Sequence, residues 1–350
     1  MKKRMAFLLA LCVAVCVTAC GPAAQEEGKG TQQVEDTGKN ENVQEETQAA
    51  EETQTAVEET QTETEETQED EPMVVNMIPT KYVTTYTGEG GTIEPITYMA
   101  KDYVGNGPEV EKKAFVYLPE GYDESKQYNV LYLMHGIGGN QNEWGLNDAR
   151  GSKVKKIMDH LIGNGEIEPF IVVTPNGKAL ACEPNDATQS FYYFGNELRN
   201  DLIPYIESHY ATYADYNEEG YDLSATRTHR AMAGLSMGGM QTINIGICEC
   251  LDLFSWYGAF SAAPTSYNSS KVASLIKDSE YDIDFFYNIC GTEDNIAYAS
   301  SSGAAKTLPA FSEKFTDGEN FIWQEKSGGH DFSIWYLGFY NFARIAFREQ

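Results

Sequence analysis

The stretch Met232–Gln241, MAGLSMGGMQ, sets one serine among glycines directly after an apolar run. Gly234-Leu235-Ser236-Met237-Gly238 fits G-x-S-x-G, the sharp strand-to-helix turn that lifts a serine hydroxyl above the end of a sheet. Such a turn demands a strand before it and a helix after it. It also demands glycine at its flanks, where a side chain would strike the neighbouring strand or helix, and it holds one residue in a strained conformation. A chain with 31 glycines meets the pattern by chance often enough that the surrounding elements must decide its meaning.

Those elements alternate. KKAFVYLP (112–119), YNVLYLMHG (128–136), EPFIVVTPNG (168–177), HRAMAG (229–234), WYGAFSA (256–262), DFFYNICG (284–291) and FIWQEK (321–326) read as strands. Several are near-continuous apolar runs, the mark of parallel strands covered on both faces. Between them, SKVKKIMDHLIGNG reads as a helix stopped by Gly163-Asn164-Gly165. GNELRNDLIPYIESHY puts Leu198, Leu202, Ile203 and Ile206 on one helical face, with Pro204 expected to bend it. Met240, Ile243, Ile247 and Leu251 follow the serine at helical spacing. Further helices are expected at SSKVASLIKD, around 304–316, and after His330. This alternation predicts an α/β fold with a mostly parallel central sheet, helices on both faces, and a site at the carboxyl ends of the strands.

A serine hydroxyl becomes a nucleophile only when a base takes its proton and a third group fixes that base. The α/β-hydrolase fold supplies these in the chain order serine, acid, histidine. Of five histidines only His330 follows Ser236, in the glycine-bearing loop SGGHDFSIW. Asp294, in the turn after DFFYNICG, is the favoured acid, with Glu293 next. Asp282 and Asp284 precede the strand, and Asp331 adjoins the base. Backbone N–H groups of Met237 and of Ile137, in the loop LMHGIGGNQNEW, are the candidate oxyanion donors. His135 is read as shaping that loop. Trp144 and Trp335 are candidates to hold a ring or sugar face of the substrate, while FYYF at 191–194 reads as packing. The chemistry needs no metal or organic cofactor.

The chain ends differ from this core. MKKR followed by MAFLLALCVAVCV has the charge and apolar length of a signal peptide, and Val17-Thr18-Ala19-Cys20 resembles a bacterial lipobox with lipid carried on Cys20. Residues 21–72 carry 17 acids against 2 lysines, with Glu, Thr and Gln repeating, so they are expected to form a disordered acidic tether. Residues 73–350 form the single expected folded domain, still with a net charge of −16. That balance, without lysine-and-arginine clusters, argues against nucleic acid. Cys182, Cys248, Cys250 and Cys290 are too scattered for a disulfide framework, and the i, i+2 spacing of Cys248 and Cys250 on a helix argues against a metal site.

Taken together, HGIGG, IPYIESHY, HRAMAGLSMGGMQ, CGTED and GGHDFSIW resemble the feruloyl esterase domains attached to clostridial xylanases, in the first carbohydrate esterase family of the esterase D-like α/β-hydrolases. The likeness covers residues 90 to 345. It implies a Ser236-Asp294-His330 triad, oxyanion donors at Ile137 and Met237, and no large cap domain. It further implies hydrolysis of feruloyl or acetyl esters on plant-wall xylan or its oligosaccharides. The lipobox-like N-terminus, a departure from those xylanase-attached domains, adds the expectation of a lipid-anchored protein on the outer face of a bacterial membrane. Relatives of the same fold include acetyl xylan esterases, siderophore esterases, S-formylglutathione hydrolases and mycolyltransferases. The signal sequence disfavours the intracellular thioester role. Acyl transfer, or glycan binding without turnover, are the alternatives.

Overall fold

The computed structural model describes residues 73–105, 107–179 and 188–348. The signal segment, Cys20, the acidic tether and Cys182 lie outside the described residues. Eight strands form one sheet in the order β1-β2-β4-β3-β5-β6-β7-β8. In chain order they are β1 Thr92–Ala100, β2 Val110–Leu118, β3 Asn129–Met134, β4 Phe170–Pro175, β5 Arg230–Leu235, β6 Trp256–Phe260, β7 Phe285–Gly291 and β8 Phe321–Lys326. From β4 through β8 every neighbouring pair is parallel, whereas β1 and β2 run antiparallel at one edge.

β3 to β7 are the apolar runs of the sequence, and apart from Asn129 every residue in them is buried. The edge strand β1 was not among the strands expected. It alternates exposed and buried residues only over its second half, where Ile96, Tyr98 and Ala100 turn inward. Its Pro95 is tolerated because β1 pairs only with β2.

Helix α1 (Lys153–Gly163) begins at Ser152, whose hydroxyl accepts from the Lys155 N–H at 3.1 Å, and ends at Asn164 as expected. Helix α2 (Phe194–Glu197) passes through a widened π-helical turn, Leu198–Leu202, into α3 (Ile203–His209). The irregularity falls just before Pro204, which has no N–H to give the preceding turn. After Ser236, α4 (Met237–Gln241) likewise runs into a π-helical turn, Thr242–Ile247. Helices α5 (Ser269–Ile276), α6 (Tyr298–Phe311) and α7 (Phe332–Ile345) complete the set. α6 starts six residues earlier than the expected span, because the turn holding Asp294 leads straight into it through the Tyr298 N–H to Asp294 carbonyl bond.

Two apolar clusters occupy the two faces of the sheet. One gathers α2, α3, the π-helical turn after α4, α5 and α6. The other gathers α1 and α7 with the first described residues, among them Val75 and Tyr82. On that second face the side-chain amides of Asn341 and Gln324 both donate to the Val75 carbonyl, at 3.0 and 2.9 Å. The chain thus enters the domain against α7, the helix that follows His330. With the strands in this order and helices on both sides, the architecture is the expected α/β-hydrolase fold.

At the amino end of β5, Arg230 is 1% exposed and its Nε donates to Glu207 Oε1 at 2.6 Å. Tyr221 donates to the other Glu207 oxygen. Removing the carboxylate would leave a buried guanidinium with only carbonyl and hydroxyl partners. Glu207→Ala is expected to lower unfolding free energy by about 3 kcal/mol, read as a shift of the urea midpoint at constant slope. A shift below about 1 kcal/mol would mean those remaining partners suffice.

Candidate active site

Ser236 has φ 51° and ψ −111°, a region that costs a residue with a side chain about 1–3 kcal/mol. Its surroundings fix it there. The Ser236 N–H donates to the Phe260 carbonyl at 2.9 Å, and its own carbonyl accepts from Ala263 and Met240 at 2.9 and 3.0 Å. A Cβ at Gly234 would lie 2.6 Å from the Gly238 carbonyl carbon, and one at Gly238 would lie 2.6 Å from the Met134 carbonyl oxygen. Neither position admits a side chain, so β5, β3 and α4 meet backbone to backbone around the serine.

The Ser236 hydroxyl lies 3.0 Å from His330 Nε2, and His330 Nδ1 lies 2.7 Å from Asp294 Oδ2. These three groups come from the carboxyl ends of β5, β8 and β7, so the sheet sets their spacing. The acid and base loops are also bound to each other. The Thr292 and Glu293 N–H groups donate to the carbonyls of Lys326 and Gly328 at 2.8 and 3.0 Å. A Cβ at Gly291 would come within 2.2 Å of the Gly328 oxygen, so this approach requires glycine.

The choice between the two candidate acids is settled by direction. Glu293 accepts from the Ser327 hydroxyl at 2.7 Å, away from the imidazole, and Asp294 faces it. Asp294 is 3% exposed. Burial pushes its carboxyl up, but the Ala297 N–H, the His330 ring and the Ile296 N–H together outweigh burial and hold it below the usual carboxylate value. It therefore stays a carboxylate that can fix the imidazole tautomer. The Cys290 thiol lies 3.6 Å from the same Asp294 oxygen and 3.8 Å from the Ser261 hydroxyl, a contact that strand periodicity alone does not signal.

Opposite Ser236 stands the loop after β3. Gly136–Gly139 form a turn closed by the Gly139 N–H to Gly136 carbonyl bond at 3.1 Å, with Gly138 at φ +77°. This is type II geometry, which calls for glycine at the third position and does not use the N–H of the second, Ile137. The loop lies close to the nucleophile, since a Cβ at Gly136 would stand 3.4 Å from the Ser236 Cβ. Met237, whose N–H is the other candidate donor, follows Ser236 directly and opens α4. His135 is 1% exposed; its Nδ1 donates to the Gly136 carbonyl at 2.8 Å and its Nε2 accepts from the Gly177 N–H at 3.1 Å. It braces the loop from behind, as read from the sequence.

The two tryptophans require correction as substrate-binding residues. Trp144 has no exposed surface: its indole N–H donates to the Met134 carbonyl at 3.0 Å, and its ring packs against Phe260, Phe332, Tyr336 and Phe339. Trp335 is 8% exposed and stands edge-on to His330 at 5.1 Å, supporting the imidazole from the protein side. Loop position suggested contact with substrate, but α7 brings both rings inward. Phe191 and Phe194 are buried as expected of packing residues, while Tyr193 is 46% exposed. Among the described residues, the loops after β3 and β7 do expose apolar side chains, Ile137 and Ile296, each 57% exposed. Among the described residues Cys248, Cys250 and Cys290 are free thiols.

A family model described as Esterase matches residues 106–335. The chain belongs to the Esterase family. It is 36% identical over 239 residues to the endo-1,4-beta-xylanase Y of Acetivibrio thermocellus, and 29% identical over 251 residues to an endo-1,4-beta-xylanase/feruloyl esterase of Xylanibacter ruminicola. These alignments cover 65% and 70% of this chain but only 19% and 30% of those longer proteins. Among solved structures, it is similar to a serine-to-alanine variant of the feruloyl esterase module from Clostridium thermocellum complexed with sinapinate. That match has TM-score 0.62 and 29% identity, over 79% of this chain and 96% of the other. A ferulic acid esterase from Anaeromyces mucronatus in complex with ferulic acid also has TM-score 0.62, with 25% identity, over 78% and 97%.

In this family member the buried brace His135 makes a prediction about stability. Burial lowers its pKa from 6.5 to about 4, so the unfolded chain binds a proton that the folded chain refuses between those values. Stability therefore falls as pH drops through that window, by about 2 to 3 kcal/mol between pH 7 and pH 4.5. Urea unfolding at the two pH values, compared with His135→Gln, should show a correspondingly flatter pH dependence in the variant.

Proposed function

We propose that the protein is a serine carboxylesterase that removes ester substituents, feruloyl and also acetyl, from plant-wall xylan or xylo-oligosaccharides. The observation that carries this reading is the unbroken line from the Ser236 hydroxyl through His330 to Asp294, at 3.0 and 2.7 Å. The substrate class is supported by the xylanase/feruloyl esterase of Xylanibacter ruminicola among the relatives, and by the similar feruloyl esterase structures that hold sinapinate and ferulic acid.

In the proposed mechanism His330 Nε2 takes the Ser236 proton as the oxygen attacks the ester carbonyl, and Asp294 holds the ring and its developing charge. The N–H groups of Ile137 and Met237 receive the oxyanion. His330 then returns the proton to the departing sugar alcohol, and a water activated by the same imidazole cleaves the acyl-enzyme. The exposed Ile137 and Ile296 give the mouth of the site an apolar lining suited to a phenolic acyl group.

We further place the protein on the outer face of a bacterial membrane, held by lipid on Cys20 through the acidic tether of residues 21–72. Support comes from the signal-like residues 1–20 and the composition of the segment that follows. A domain on such a tether would act on oligosaccharides that reach the cell surface.

The purified protein should release ferulate from feruloylated xylo-oligosaccharides faster than acetate from acetylated ones, followed by chromatography of the free acids. Ser236→Ala should lower release by at least about 1,000-fold, and Asp294→Asn by about 1,000- to 10,000-fold. Activity retained in Ser236→Ala would remove the mechanism, and equal rates on both substrates would remove the feruloyl preference.

A further inference from the structure

The turn that presents Ile137 is not held by its own side chain, because Ile137 points outward and is 57% exposed. Something else must fix the direction of its N–H. Seven residues after Gly136, the carboxylate of Glu143 returns beneath the turn, and Oε2 accepts the Gly136 N–H at 2.9 Å. We propose that Glu143 is the positioning residue of the oxyanion donor, holding the His135–Gly136 peptide, one unit before the peptide that carries the Ile137 N–H. The proposal rests on the esterase reading above.

Three observations support it. First, the carboxylate occupies the inside of the turn: a Cβ at Gly139 would fall 1.8 Å from Glu143 Oε2, so the glycine there makes room for this acid. Second, among the described residues no Lys or Arg ion pair accounts for the acid's position. Its side chain is 21% exposed, and the basic group beside it among the described residues is His135 Nδ1 at 4.0 Å, on a ring that burial keeps neutral. Burial pushes the Glu143 carboxyl up, and the Gly136 N–H is what draws it back. A half-buried carboxylate held chiefly by one backbone N–H is costly, and here that N–H adjoins the reacting centre.

Third, the root of the side chain is rigid. The Glu143 N–H donates to the Asn140 carbonyl at 3.0 Å. The next residue, Trp144, is fully buried with its indole bonded to the end of β3 at the Met134 carbonyl. From the other side, the Gly136 carbonyl is gripped by His135 Nδ1 and by the Gly139 N–H. Gly136 is therefore fastened at both its carbonyl and its N–H, and the second fastening is Glu143. Loss of an oxyanion donor costs about 100- to 1,000-fold in rate, and misplacing one by an ångström costs a large part of that.

The test uses the full chain and a small activated ester, with kcat and KM measured for Glu143→Ala, Glu143→Met and Glu143→Gln. Methionine fills the space without an acceptor, so it serves if the alanine variant does not fold. Glutamine keeps an acceptor oxygen without the charge. Alanine and methionine are expected to lower kcat by about 10- to 100-fold with KM within about threefold, and glutamine to remain within about threefold of the parent. An aryl boronic acid, which forms a tetrahedral adduct on the serine, should lose affinity by the same factor as kcat, whereas inhibition by ferulate should not change. A folded Glu143→Met with parental kcat, a loss confined to KM, or a glutamine variant as impaired as the methionine one would overturn the proposal. Ser236→Ala in the same assay separates the two levels of the argument. If Ser236→Ala is inactive while Glu143→Met is unaffected, only this inference falls; if Ser236→Ala is active, the esterase reading falls with it.

Discussion

A single residue, Ser236, is held in a backbone conformation it would not choose. Three hydrogen bonds to Phe260, Ala263 and Met240 close around its peptide groups, and glycines at 234 and 238 let β5, α4 and the end of β3 meet backbone to backbone beside it. The cost, about 1–3 kcal/mol, is borne by a sheet whose central strands are almost wholly buried. Because the turn is set by this packing, the hydroxyl emerges at one place above the ends of β3, β5 and β6. Every other feature of the site is arranged around that point.

The partners arrive by separate routes that are locked to each other rather than to the serine. Asp294 and His330 sit on loops after β7 and β8, and these loops share two backbone hydrogen bonds across a contact that only glycine at 291 permits. The imidazole is then fixed by carboxylate on one side and by the edge of Trp335 on another. On the opposite wall, His135, Glu143 and Trp144 fasten the turn that carries Ile137. The result is a frame for three side chains, beside which, among the described residues, the isoleucines at 137 and 296 stand exposed. Such preorganised geometry suits a reaction in which charge develops on one oxygen and must be met without rearrangement.

Much of this was legible in the amino-acid order because the physical signals were strong. The run YNVLYLM can be buried only as an inner strand, and a serine between glycines after HRAMAG has few structural meanings. His330 was singled out by its place after the last strand, since chain order in this architecture leaves no other histidine. Other parts carried weaker signals. β1 escaped notice because Pro95 and the exposed first half blur its alternation, and both are tolerated only at a sheet edge. Asp294 and Glu293 are neighbours in one turn, and only the folded loop sends one to His330 and the other to Ser327. Trp144 and Trp335 misled because a tryptophan near catalytic residues reads the same whether it faces substrate or core. Glu143 carried no periodic signal at all, as its meaning depends on a carboxylate folding back under a turn.

The most direct measurement is peptide mapping by mass spectrometry after brief treatment with an aryl phosphate triester, which transfers a phosphoryl group to an activated serine. The account predicts stoichiometric modification of the peptide containing Ser236, lost when His330 is replaced by alanine. Modification at another residue with loss of activity, or labelling of Ser236 that does not depend on His330, would contradict it.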